Sequence, residues 1–179
     1  MYDIPDFKVP NESMRGTARV RSSPTNLATW VTDNLKSDSK SFSVLDFGAG
    51  HGFDAAYLNS KGFHCEGWDP VFSSTLAPRK EHYDLVLLAY VLNVIPSLNL
   101  RKKVLLQAWH YSLTHLLIAV RMNTVMRPTQ KYQDGVITSI GAFQKVYTPI
   151  EIKEWCDQIL DSKGTFVGKN TLIYRKNSC

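Results

Sequence analysis

No apolar run in this sequence approaches the roughly 18 residues that a membrane-crossing helix requires, so no membrane association is expected. Met1 to Pro10 carries acids and prolines rather than a basic stretch followed by an apolar one, which argues against a secretory signal. Cysteine is scarce: Cys65, Cys156 and Cys179 are odd in number, scattered, and lack metal-ligand spacing. Reduced thiols in a cytoplasmic protein are the expectation, with no disulfide frame and no metal site. Internal repeats and low-complexity stretches are also missing. What is present is ordinary for a globular chain, 44% apolar and 21% charged over 179 residues, a length that suits one domain.

The net charge of +5 is unevenly spread. Residues 1–100 hold 9 Lys/Arg against 11 Asp/Glu, whereas residues 101–179 hold 12 against 5. The second half can therefore present a basic face to an anionic partner such as nucleic acid, joined by Arg15, Arg19 and Arg21 near the N-terminus. A solvated lysine-rich surface accounts for the same numbers.

Along the chain, residues 1–22 have no sustained period and read as an arm or lid, leaving residues 23–179 as the domain. Ser23-Pro24 offers a cap and a first helical position, and Leu27, Trp30, Val31 and Leu35 follow at helical spacing, predicting a helix over 24–36. Val44 to Phe47 is a short strand running into glycines. Phe53 to Lys61 reads as a helix with Ala55, Ala56 and Leu58 inward, stopped by Gly62. Phe63 to Trp68, Tyr83 to Ala89 and Leu116 to Val120 read as strands, the latter two apolar enough to be buried on both faces of a parallel sheet. Ser97 to Ser112 is a helix with Leu100, Val104, Leu105 and Trp109 inward and Arg101, Lys102 and Lys103 outside. Thr148-Pro149-Ile150-Glu151 is a capping box opening a helix with Ile152, Trp155, Cys156, Ile159 and Leu160 on one face. Gly164 to Val167 and Thr171 to Tyr174 close the chain as a hairpin. Alternating strands and helices give an α/β fold with a mostly parallel sheet and a C-terminal antiparallel hairpin.

The informative constellation is Val44-Leu45-Asp46-Phe47-Gly48-Ala49-Gly50-His51-Gly52, followed by Asp69. A strand-turn-helix unit places its glycines in the crevice beyond the strand's carboxyl end, where open α/β sheets bind ligands. Gly48 and Gly50 allow a sharp turn and close approach of backbone to ligand. Asp69 ends the next strand and can accept hydrogen bonds from ribose hydroxyls. A dinucleotide fingerprint would need a third glycine where Phe53 stands, and a P-loop would need its Lys and Ser/Thr. Asp46, just before the turn, suits a cationic ligand better than a pyrophosphate. His51 has no second ligand at metal spacing.

In these segments the chain resembles class I methyltransferases that use S-adenosylmethionine (SAM), and most resembles the methyltransferases associated with DNA phosphorothioation. The likeness rests on Val44 to Asp54, Glu66 to Pro70, Ala89 to Ile95 and Gly141 to Pro149, with the arginine-bearing arm around Arg15 to Ser23. It implies a Rossmann-like, seven-stranded sheet, with Asp46, Gly48, Ala49 and Gly50 near the methionine part of SAM and Asp69 and Pro70 near the ribose. Asp54 matches an acidic position of the same motif. Ala89, Tyr90 and Val91 would lie beside the bound cofactor. Only thirteen residues separate Asp69 from Tyr83, with no clear third strand, so the sheet is reduced there if anywhere. Val71, Phe72 and Leu76 are the apolar candidates for the adenine, and Trp68 either shapes that pocket or packs in the core.

For the acceptor, Tyr90 and Asn93 follow a buried strand at the mouth of the expected pocket and are candidate substrate orienters; Asn93 capping a turn before Pro96 is the alternative. Residues 122–147 lack clear secondary structure and read as a long functional loop. They bring Arg127, Lys131, Gln144 and Lys145 together with Tyr132, Phe143 and Tyr147, beside Arg121. Cations mixed with aromatics suit a phosphate-bearing, stackable substrate, and Gln144 and Lys145 join the candidate orienters. The leading expectation is a methyltransferase acting on a nucleic acid or nucleotide-containing substrate. Methylation of a small molecule or peptide is the second reading, and a SAM-binding accessory or sensor without turnover the third.

Overall fold

The computed structural model describes residues 18, 20–35, 42–122 and 130–176. Arg15, Arg19, Arg127, Cys179 and most of the N-terminal arm lie outside the described residues. In chain order the elements are α1 (Asn26–Asn34), β1 (Ser43–Phe47), α2 (Phe53–Ser60), β2 (His64–Trp68), β3 (Tyr83–Ala89), α3 (Leu98–Tyr111), β4 (Ser112–Ala119), β5 (Gln130–Tyr132), β6 (Gly135–Ile137), β7 (Phe143–Gln144), α4 (Pro149–Leu160), β8 (Thr165–Gly168) and β9 (Thr171–Arg175).

The main sheet runs β2-β1-β3-β4-β9-β8, with β2, β1, β3 and β4 parallel and the terminal hairpin antiparallel. This is the expected Rossmann-like α/β architecture. It has six strands rather than the seven that the resemblance implies, and the missing one lies beyond β2. The short link from Asp69 to Tyr83 folds back over the β2 edge instead of adding a strand. Trp68 Nε1 donates to the Thr75 carbonyl, while Glu66 accepts from Arg79 N–H and from the Tyr83 hydroxyl. Those bonds occupy the side chains along an edge that would otherwise invite another strand.

Two apolar clusters cover the sheet. On one face α3 and α4 pack Val104, Leu105, Ile152 and Cys156 against Leu45, Val86, Leu88, Leu116 and Ile118. On the other, α1 and α2 pack Leu27, Val31 and Leu58 against Val44, Leu85, Leu87 and Leu117. The alternation along β3 and β4 explains why these strands read as continuous apolar runs: each residue faces one cluster or the other. Trp30, Trp109 and Trp155 are half-buried against these clusters. Among the described residues no helix is long and apolar enough to cross a membrane.

Several local expectations are corrected. The cap of α1 is Thr25 rather than Ser23: its Oγ accepts from Ala28 N–H, and Pro24 stands before the cap. Ala56 is exposed, because the α2 stripe runs through Asp54, Ala55 and Leu58. α3 ends at Tyr111 and the chain enters β4 directly at Ser112, so that strand starts earlier than expected. Residues 130–144 are not an irregular loop but a separate antiparallel sheet of order β5-β6-β7.

Arg101, expected outside, is 1% exposed. Its guanidinium reaches out from α3 to Asp134, in the tight turn between β5 and β6, and donates to Tyr147 Oη and the Pro96 carbonyl. Lys145 Nζ pairs with Glu151 at 2.7 Å and Asp134 at 3.5 Å. Desolvation would raise the Asp134 carboxyl, but Arg101 and then Lys145 hold it below the usual range. The small sheet is therefore anchored to the main body by charge-assisted hydrogen bonds.

Candidate functional site

A cavity of about 830 Å³ lies beyond the carboxyl ends of the parallel strands. The strand order sets what meets it from one side to the other. Asp69, Pro70, Val71 and Phe72 come from the end of β2, and Phe47 to His51 from the end of β1. Ala89 to Val91 and Asn93 to Ile95 follow β3, Arg121 and Met122 follow β4, and Lys169 and Asn170 form the hairpin turn. Leu100 and Val104 of α3 and Gln144 of β7 also line it.

The turn after β1 is held open by its glycines. Gly48, Gly50 and Gly52 have φ of 88°, 55° and 75°, a region L-residues rarely adopt. A Cβ on Gly48 would collide with the Val91 side chain. The backbone N–H groups of Gly48 and Ala49 donate to the Trp68 carbonyl at 2.7 and 3.1 Å, which fastens the turn to the end of β2. Asp69 strengthens the link: one carboxylate oxygen accepts from Gly50 N–H at 3.0 Å and the other from Val71 N–H at 2.8 Å. Each oxygen keeps acceptor capacity for a ligand.

Asp54, at the start of α2, is 3% exposed and accepts from Thr25 N–H, Thr25 Oγ and Arg21 Nη1 at 2.9, 2.7 and 3.0 Å. The carboxylate thus docks the start of α1, and with it the described end of the arm, against the cavity wall. Asp46 lies buried beneath the turn rather than on the wall. Burial first, then the nearby Asp54, pushes its carboxyl up to about 7 against the opposing pull of Arg21; Asp69 adds to the rise. Arg21 pairs with Asp54 and Asp46 is partly protonated near neutrality, which leaves Asp69 as the carboxylate without an ion pair among the described residues at this end of the cavity.

At the adenine-candidate end, Val71 and Phe72 line the cavity, and Phe72 packs against His51 with ring centroids 4.6 Å apart. Leu76 does not contribute; it is 97% exposed in the covering loop. Trp68 is a core residue stacked on Phe47 at 5.0 Å that also touches the cavity.

Of the four candidate orienters, Tyr90, Asn93 and Gln144 meet at the cavity and Lys145 does not. Lys145 is spent in its ion pairs with Glu151 and Asp134. Tyr90 has a positive φ of 59° at the end of β3, its N–H donating to the Ala119 carbonyl and its hydroxyl accepting from Asn170 Nδ2. A bulky residue in that region marks strain that the surroundings over-determine. Gln144 Nε2 and Lys145 N–H both donate to the Asn93 carbonyl. Among the aromatics of this region, Tyr147 is buried under Arg101, while Tyr132 is exposed beside Phe143. Three lining groups escaped sequence reasoning: Arg21 paired to Asp54, His51 beside Phe72, and the Lys169-Asn170 turn. None of the three is local: Arg21 reaches Asp54 across 33 residues, His51 meets Phe72 from the end of the next strand, and the hairpin turn crosses the sheet to meet Tyr90.

Comparison with known proteins agrees with this fold. The family described as methyltransferase domain matches residues 19–159. No curated protein matches the sequence significantly. Among solved structures, the magnesium protoporphyrin IX methyltransferase of Synechocystis, with bound S-adenosylhomocysteine (SAH), aligns with TM-score 0.60 at 14% identity, over 92% of this chain and 84% of its own. A sugar N-methyltransferase from a Streptoalloteichus species aligns with TM-score 0.60 at 11% identity, over 85% and 87%. The 1,6-didemethyltoxoflavin-N1-methyltransferase of Burkholderia thailandensis aligns with TM-score 0.55 at 16% identity, over 76% and 71%.

Proposed function

The chain belongs to the methyltransferase domain family, and we propose that it transfers a methyl group from SAM to a small acceptor held in the same cavity. The observation that carries this reading is the glycine-rich turn at Gly48 to Gly52, with three glycines at positive φ and Asp69 bonded beside it.

The residues present fit SAM. The Cβ side of Gly48 is filled by Val91, so glycine there lets the turn pack closely, and the backbone of Gly48, Ala49 and Gly50 at the cavity wall would hold the ligand's aminoacyl part. Asp69 offers its remaining lone pairs to the ribose hydroxyls, with Pro70 beside it, and Val71, Phe72 and His51 offer an apolar and aromatic wall for the adenine. Ala89, Tyr90 and Val91 flank the middle of the cavity. Asp69, joined by Asp46 once a bound cation draws off its proton, favours a ligand carrying cationic sulfonium and ammonium groups and opposes a pyrophosphate. When bound, SAM supplies an activated methyl group. The chain's own task is then to exclude water and align the acceptor, and alignment alone is worth roughly 7–11 kcal/mol of a barrier.

A small acceptor is favoured because Lys145, one of the loop cations expected to meet phosphates, is buried in pairs with Glu151 and Asp134, and Arg101 of α3 is likewise paired with Asp134. The cavity volume also falls within the roughly 300–1,000 Å³ of small-molecule sites. Neighbouring folds named for porphyrin, sugar and toxoflavin-precursor methylation are in keeping with it. Nucleic acid is the second reading, with the likeness to phosphorothioation-associated methyltransferases. It is favoured by Arg121 and Lys169 at the cavity and the basic balance of residues 101–179.

The test is transfer of a labelled methyl group from SAM into separated metabolite, protein and nucleic-acid pools. Label in metabolites supports the proposal. Label in DNA or RNA, lost with rising salt as counterion release requires, replaces it with the second reading. SAM binding without label in any pool would make the protein a sensor or accessory.

A further inference from the structure

Resting on the methyltransferase reading above, we infer that Asn93 holds an N–H of the methyl acceptor and that the methylated atom is the neutral nitrogen of a weakly basic amine on an apolar body. The strand order divides the cavity. Carboxylates and the only lining imidazole among the described residues, Asp54, Asp69 and His51, stand over β1, β2 and α2. The half over β3, β4 and the hairpin is lined by amides, cations, aliphatic side chains and the phenol of Tyr90, whose hydroxyl is held by Asn170, with no carboxylate or imidazole among the described residues.

Asn93 is the buried polar group of that half. It is 3% exposed, and its Oδ1 has no hydrogen-bond partner. Its backbone carbonyl, in contrast, accepts twice, from Lys145 N–H at 2.8 Å and Gln144 Nε2 at 3.2 Å. The residue is therefore fixed in place while its side-chain amide is untied and can turn about its last torsion to present the oxygen to the cavity. A buried acceptor without a partner is costly, and a ligand bringing a donor relieves it.

The chemistry of an amide narrows that donor. An amide oxygen accepts a hydrogen bond but does not take a proton near neutral pH. A hydroxyl acceptor must lose its proton as it reacts and needs a base beside it. An amine nitrogen does not: its lone pair forms the bond to the methyl carbon, the carbon–sulfur bond breaks, and that electron pair stays on sulfur as the thioether. The nitrogen becomes cationic, holds its remaining hydrogen against Asn93 Oδ1, and releases a proton to water afterwards. Lys169 and the absence of any carboxylate among the described residues of this half disfavour an amine already protonated, which selects a weak base such as an arylamine. Ile95, Leu100, Val104 and Met122 provide the surface for its apolar body.

The experiment supplies methyl-13C-labelled SAM and a cellular metabolite extract to the full chain and reads the carbon shift of the new methyl signal. An N-methyl signal is expected. The amine so identified is then titrated calorimetrically against protein saturated with SAH. Asn93→Leu should weaken its binding at least tenfold while SAH affinity changes less than twofold, and Asn93→Asp, which keeps an acceptor oxygen, should retain amine binding. An O-methyl or C-methyl signal overturns the inference and leaves the methyltransferase reading intact. So does an N-methyl signal whose amine binds Asn93→Leu as tightly as the unaltered chain. SAH binding with no label transfer overturns the reading itself, and the inference falls with it.

Discussion

Gly48 is where a single added carbon has the most direct consequence. Its φ of 88° is unfavourable for any L-residue, and the Cβ would collide with the Val91 side chain. Gly48→Ala should destabilise the fold by about 1–3 kcal/mol, the usual range for strain and overpacking, and should abolish SAM binding. Chemical denaturation and calorimetry would check the two effects separately. Asp46 yields a pH dependence with a definite sign. Its folded value near 7 lies above its ordinary 3.8, so the folded state holds a proton that the unfolded state releases between those values. Its contribution is complete below about pH 4 and is lost as pH rises towards 7. Asp46→Asn should flatten that fall in stability. A cation bound above the turn would draw the carboxyl back down, so SAM binding near pH 6.5 should release a proton. That release would be measured as a dependence of the binding heat on buffer ionisation enthalpy. Asp69→Ala should weaken SAM binding by roughly tenfold to a hundredfold, the loss expected for charged hydrogen bonds. Its melting temperature should stay near that of the unaltered chain, since Asp69 lies at the surface end of β2.

At the scale of elements, local signals and long-range ones part company. The strand-turn-helix from Ser43 to Ser60 and the capped helix α4 are legible because cap, glycine and periodicity lie within a few residues of one another. The start of α1 is less so. Ser23-Pro24 imitates a cap, yet Thr25 takes that position because Asp54, 29 residues away, binds its N–H and hydroxyl. The small sheet was illegible for a related reason. Its strands of three, three and two residues are shorter than any useful window. They are held by Asp134 reaching Arg101 across 33 residues of chain. Asp134→Ala leaves the buried Arg101 guanidinium and Lys145 ammonium short of a partner, and should cost roughly 3 kcal/mol. Hydrogen exchange should speed up first in residues 130–144, well before the main sheet opens.

For the whole molecule, the missing strand beyond β2 and the added sheet at β5 to β7 alter opposite ends of one frame. The loss leaves the β2 end of the cavity walled by a short covering loop, with Phe72 against His51. The addition brings Gln144 over the β3 end, onto the carbonyl of Asn93. How the glycine turn and Asp69 meet was readable from sequence, since motif spacing fixes both on adjacent strand ends. Which cations face the cavity was not, because Lys145 and Arg121 look alike in sequence and only packing sends Lys145 to Glu151. The central claim is that the crevice above β1 and β2 receives the SAM nucleoside. It is tested most directly by a crystal structure of the protein with SAH. The account predicts the ribose hydroxyls on Asp69 and the aminoacyl group against Gly48 to Gly50; SAH seated elsewhere, or a crevice left closed by side chains at saturating SAH, would contradict it.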